Sequence, residues 1–158
     1  MPIYFKFAGI EGEATHANHK NWMEIKSLRW DVRREVKTLA GAAANREGSQ
    51  PTVASITLTK TTDVSSTKLL QQACTGNQGK DATIDLVTSG NPGDTYIQYQ
   101  LTNTIIDSYE VSSSGERPEE TITLNFTKFS VKYTPYDESN QPGGPQIASY
   151  DLATAQAA

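Results

Sequence analysis

The sequence predicts an all-β protein: a small β-barrel of two packed antiparallel sheets, with one short α-helix at about residues 66–75 alongside. Three observations carry that expectation. Apolar side chains recur at period two, as in Ile122, Leu124 and Phe126 set against Thr121, Thr123 and Asn125. Thr and Ser fill many intervening positions, and clusters of Gly, Pro, Asn and Ser separate the apolar runs as turns separate strands. Only residues 68–74 join helix formers to upstream capping side chains.

Taken in order, Ile3, Phe5 and Phe7 mark a first strand. A polar stretch follows with both histidines, His16 and His19, and reads as a solvated loop. From Trp22 a long strand begins whose apolar phase changes. Met23 and Ile25 hold odd positions, whereas Leu28, Trp30 and Val32 hold even ones, so a bulge is expected near Lys26 and Ser27. Arg29, Asp31 and Arg33 then share the face away from the core. Residues 39–50 lack an apolar period and read as an extended arm that orders on a partner. Its candidate contact residues are Leu39, Gly41, Ala43, Asn45, Arg46, Glu47, Gly48 and Gln50.

Ala54, Ile56 and Leu58 mark the next strand, with Ser55, Thr57 and Thr59 on its other face. Asp63, Ser65 and Ser66 offer capping groups to the helix, whose inner face is expected to hold Leu69, Leu70, Ala73 and Cys74. Gly76 sits where a left-handed terminating residue belongs. Ala82, Ile84 and Leu86 begin a hairpin that turns at 89–94. Ile97, Tyr99, Leu101 and Ile105 keep one parity beyond it. The stretch of residues 115–133, read as one long kinked strand, organises the rest. Its apolar set moves from Ile122, Leu124 and Phe126 to Phe129, Val131 and Tyr133, which calls for one extra residue near Thr127 and Lys128. Residues 137–146 read as a linker to a last strand, and residues 1–158 as a single domain.

The chemistry of catalysis is not visible. Fourteen Lys and Arg against eighteen Asp and Glu give a net charge of −4, the wrong sign for a nucleic-acid surface. No apolar run reaches membrane-spanning length, and residues 1–7 lack a signal-peptide core, so no membrane insertion and a cytoplasmic start are expected. The single Cys74 fits a reducing compartment and forms no internal disulfide. His16 and His19 lack a third strong ligand, Glu11 and Glu13 being weak ones, and no metal or cofactor is expected. Glu119 and Glu120 point to opposite faces of a strand and make no acid–base pair. Exposed Tyr4, Trp22 or Tyr99 could serve a monomeric β-sandwich binding module, the alternative to self-assembly from another class.

Several separated motifs resemble one family. They are Gly12-Glu13 followed by His19-Lys20-Asn21-Trp22-Met23-Glu24-Ile25; Asp63-Val64-Ser65-Ser66-Thr67-Lys68-Leu69 with Ala73-Cys74 and Gly76; and Pro118-Glu119-Glu120-Thr121-Ile122-Thr123-Leu124-Asn125-Phe126. Together they look like Hcp, the tube protein of type VI secretion, over nearly the whole chain. Tyr150 stands where the family often has Trp, and Thr67 where it often has Pro. The resemblance implies hexameric rings that stack into a hollow tube, expelled by a contracting sheath with the spike and effectors as partners. It implies no enzymatic activity, and secretion from the bacterial cytoplasm without a signal peptide. It places Arg29, Asp31 and Arg33 on the lumen, makes residues 39–50 the contact between subunits or rings, and marks Trp30, Asp63, Leu69, Gly76, Pro118, Glu120 and Phe126 as structural motif positions. A phage-like or other contractile-injection tail tube shares that architecture and is the alternative of the same class.

Overall fold

The structure, a computed structural model, describes residues 1–41, 43, 44 and 46–158. Its strands are β1 (Ile3–Phe7), β2 (Met23–Ile25), β3 (Ser27–Arg29), β4 (Val32–Arg33), β5 (Val36–Lys37), β6 (Glu47–Gly48), β7 (Thr52–Val53) and β8 (Ile56–Thr61). The helix α1 (Ser66–Thr75) follows, then β9 (Lys80–Val87), β10 (Thr95–Ser112), β11 (Glu119–Asn125), β12 (Lys128–Tyr133) and β13 (Gln146–Asp151). Every strand pairing is antiparallel. The all-β class and the single helix match the expectation, residue for residue at the helix.

The main sheet runs β2-β1-β9-β10-β11-β8-β3, with β12 on β10 and β13 on β12. Strand β10 is long enough to belong to two layers: residues 97–102 pair with β12 and residues 105–112 with β11. The expected barrel is not closed: among the described residues no ladder joins the two ends of this path. Those ends, β2 and β3, are consecutive in the chain. The expected bulge near Lys26 is therefore a bend at which one strand leaves β1 for β8, and the Lys26 N–H donates to Thr59 O at 2.7 Å.

The phase change in the central strand has a different origin from the one expected. Thr102 pairs with Lys128 and Ile105 with Asn125, so two residues separate the halves on each strand and neither side carries an extra one. Both strands kink together. Asn103 takes a left-handed φ of 57°, a conformation that Asn tolerates better than most residues. Beyond it Thr104 and Ile106 are buried and Ile105 is not, which overturns the expectation that Ile105 keeps the parity of Leu101.

Phe5, Met23, Ile56, Leu58, Leu69, Ile84, Ile122 and Leu124 are fully enclosed in one core, each worth roughly 1.5–3 kcal/mol of burial. Leu69 is the helix residue that enters it. Leu70 and Cys74, expected on the inner face, are exposed, because the face that meets the sheet passes through Ser66, Leu69 and Ala73. Gly76 is extended (φ −73°), not left-handed; its lack of a side chain matters because a Cβ there would lie 2.6 Å from Gln72 O. A second cluster of Tyr4, Ala14 and Val87 under Trp22 forms where the 11–22 loop folds over the outer side of β1 and β9.

Candidate assembly surface

Two nested antiparallel ladders make residues 32–53 a hairpin. Val32 and Arg33 pair with Val53 and Thr52, and Val36 and Lys37 pair with Gly48 and Glu47. The expected arm of residues 39–50 is thus the outer part of this hairpin and carries β6, where the sequence suggested a loop without regular structure. The Ser49 N–H donates to Glu35 O at 2.9 Å between the two ladders, and the Ala54 N–H to Asp31 O at 3.1 Å at the base of the hairpin. Neither ladder pairs with the main sheet among the described residues. Val32, Val36 and Leu39 are accordingly 46%, 37% and 74% exposed, which corrects the expectation that Val32 faces the core.

Of the arm candidates, Leu39, Gly41, Ala43, Arg46, Gly48 and Gln50 are exposed, and Arg46 Nε donates to Thr38 Oγ1 at 3.2 Å. Gln50 Oε1 accepts from the Tyr150 hydroxyl at 3.3 Å, tying the arm's root to β13. Glu47 contributes its backbone to β6, and Asn45 lies outside the described residues. Arg29, Asp31 and Arg33 are all exposed. Arg33 Nε donates to Asp31 Oδ2 at 2.8 Å, while Arg29 sits apart on β3 opposite Thr57.

The motif positions fall into two groups inside the body. Trp30 Nε1 donates to Ala54 O at 2.9 Å, and its ring meets Phe126 edge-on at 6.2 Å and Phe129 at 5.0 Å, so this aromatic knot fixes where the arm departs. The second group fastens the helix. Lys60 and Glu120 are opposed in the β8–β11 ladder and both fully buried; Lys60 Nζ donates to Glu120 Oε2 at 2.8 Å, to Asp63 Oδ1 at 3.0 Å and to Thr61 O at 3.0 Å. Asp63 Oδ1 also accepts from the Ser65 N–H at 2.8 Å, and Ser66 Oγ accepts from the Asp63 N–H at 3.0 Å. Asp63, one of the expected capping residues and two before the N-cap Ser65, thereby organises the helix start; Ser65 donates its hydroxyl to Asp63 and caps nothing itself. Pro118 O accepts from the Thr62 N–H at 3.1 Å.

Burial works against the Glu120 charge, but hydrogen bonds from Lys60, Ser66 and Tyr109, with the Lys60 charge, outweigh it and hold the carboxyl below its ordinary range. Burial, and then the bond to Glu120, push the Tyr109 phenol well above its ordinary value. Lys60 and Tyr109 escaped notice in the sequence. The available signal was parity: Lys60 continues the inward series Ile56 and Leu58, and Glu120 begins the inward series Ile122 and Leu124.

Of the aromatics named for a binding module, Tyr4 is buried and Trp22 and Tyr99 are half-buried. His19, expected in a solvated loop, is 3% exposed. Among the described residues no group of three His, Cys, Asp or Glu side chains gathers as a metal site, and no helix is long and apolar enough to cross a membrane.

The profile of the type VI secretion system effector Hcp matches residues 4–133. This chain belongs to the Hcp family. Comparison by sequence with proteins of curated function gives no match. Among solved structures, one described as a type six secretion system protein superposes with a TM-score of 0.91 at 23% identity, covering 99% of both chains. Hcp1 from Salmonella typhimurium gives 0.80 at 24% identity over 99% of this chain and 98% of that one. A type VI secretion system effector from Yersinia pestis gives 0.76 at 26% identity over 94% and 98%. The matched span contains the arm, the helix and the Lys60–Glu120 pair.

Proposed function

We propose that this Hcp chain is a structural tube protein: six copies form a ring, rings stack into a hollow tube, and sheath contraction drives that tube with its spike and effectors out of the bacterial cell. The observation that carries the proposal is the 32–53 hairpin, whose Val32, Val36 and Leu39 stand exposed, neither of its ladders pairing with the main sheet among the described residues. Exposed edges are a second support, since β3 and β13 each end a run of pairing. A head-to-tail ring covers such edges by closing on itself. The arm supplies contacts between subunits or rings, and Arg29, Asp31 and Arg33 wet the lumen, where effectors are held without covalent chemistry. The chain acts from the cytoplasm and leaves through the apparatus.

Solution mass with electron microscopy tests this reading. A ring of six is expected, and monomer throughout the micromolar range with no rings on the grid would refute it. Deleting residues 41–48 keeps the body folded, because every core residue lies elsewhere, while ring association or stacking falls. A deletion variant that assembles and is secreted like the parent would reduce the arm to a passive loop.

A further inference from the structure

We propose that His16 and His19 form a proton-held clasp that fastens the 11–22 loop to the turn between β9 and β10 and opens in acid. The argument is a count of protons. His16 Nε2 lies 2.6 Å from Pro92 O, and His19 Nε2 lies 2.8 Å from Asp85 Oδ2. A carbonyl can only accept. Asp85 is also used as an acceptor throughout, receiving Gln98 Nε2 at 2.9 Å and the Thr95 hydroxyl at 3.3 Å, so both imidazoles must donate from Nε2. Their remaining nitrogens, the two Nδ1 atoms, face each other at 2.9 Å.

Two lone pairs at that distance repel, and two N–H groups collide. One proton between them satisfies both rings. The Asn18 N–H approaches His16 Nδ1 at 3.3 Å, which makes that atom the acceptor and assigns the shared proton to His19. His19 is then an imidazolium against the Asp85 carboxylate, stacked on Tyr4 with centroids 4.7 Å apart and met edge-on by Trp22 at 4.7 Å. His16 is the neutral ring protonated at Nε2. The charged groups around the pair are Asp85 from β9, Lys6 from β1, 5.8 Å over the Trp22 ring, and Glu24 from β2, opposite Tyr4; Asp94 lies in the clasped turn, and Glu11, Glu13 and Lys20 on the loop itself are exposed.

A second proton on the pair has one place to go, His16 Nδ1. Arriving there, it removes the acceptor for both His19 and the Asn18 amide, and sets two cations in contact. The clasp is therefore closed while the pair holds one shared proton and sprung when a second drives the rings apart, freeing the turn at Pro92 while the core beneath stays packed.

The sequence contains two histidines, so nitrogen NMR of the [15N]histidine-labelled protein reads the clasp directly. Near pH 7.5 the expected result is a scalar coupling across the Nδ1–H···Nδ1 bond, with His19 doubly protonated and His16 carrying its proton on Nε2. At about pH 5 the coupling vanishes, and amide exchange in residues 88–94, corrected for its intrinsic pH dependence, rises at least about tenfold. His16→Gln should abolish that pH step without unfolding the protein. Two neutral rings with no coupling near pH 7.5, or the same pH step in His16→Gln, would overturn the proposal.

Discussion

Lys60 occupies a position that parity assigns to a hydrophobe, and its charge is tolerated there because three acceptors meet it. Removing one member of a buried pair leaves the other uncompensated, so Lys60→Met should cost about 3–5 kcal/mol. Lys60→Met combined with Glu120→Leu should recover most of that loss, and urea unfolding of the single and double variants measures the difference. The same pair sets an acid limit. The Glu120 carboxyl titrates lower in the folded chain than its ordinary 4.5, so its stabilisation is fully present above that value and is lost as pH falls through the lower folded one. Unfolding midpoints should therefore fall more steeply in acid for the wild type than for Glu120→Gln; equal slopes would remove Glu120 from the account.

At the scale of elements, what was legible in the sequence was whatever depends on local periodicity. Strands β1, β8, β11 and β12 and the bounds of α1 follow from alternation and capping residues, and the structure keeps them. Partner-dependent features were not legible. A phase change in one strand looks the same whether its cause is an extra residue or a neighbour that kinks in step, and only the register against β10 separates the two. Likewise the arm's ladders rest on Val32, Val36 and their partners 48–53, too short to show a period. His19 read as solvated because burial of the 11–22 loop depends on Tyr4 and Val87, which lie far away in sequence. Gly12 shows a constraint of this tertiary kind: its N–H donates to Asn21 O at 2.8 Å, and a Cβ there would lie 2.5 Å from Trp22 O and 2.7 Å from Met23 Cα. Since those are backbone atoms, Gly12→Ala must displace the loop, and a loss of about 1–3 kcal/mol in thermal or urea unfolding is expected.

At the scale of the whole molecule, the proposed tube makes a claim about direction. Leu28 and Trp30 pack against the core, so Arg29 between them projects away from it, while Asp31 and Arg33 continue that exposed face as the chain leaves the body at Val32. Because the side chains of Arg33 and Asp31 are 84% and 52% exposed, their ion pair contributes at most about 1 kcal/mol. Asp31→Arg should therefore leave folding and ring formation nearly unchanged, and alter which effectors a tube retains if this face lines the channel. Labelling decides the direction without reference to cargo. Cys74 is exposed, so it must first be changed to Ser; Asp31→Cys is then introduced into that background and tubes are assembled. A small thiol reagent should reach position 31 in the tube, whereas a reagent wider than the channel should reach it only in dissociated subunits. Equal modification of assembled and dissociated protein by the wide reagent would put Asp31 on the outer wall, and the charged pair would then belong to contacts with the sheath.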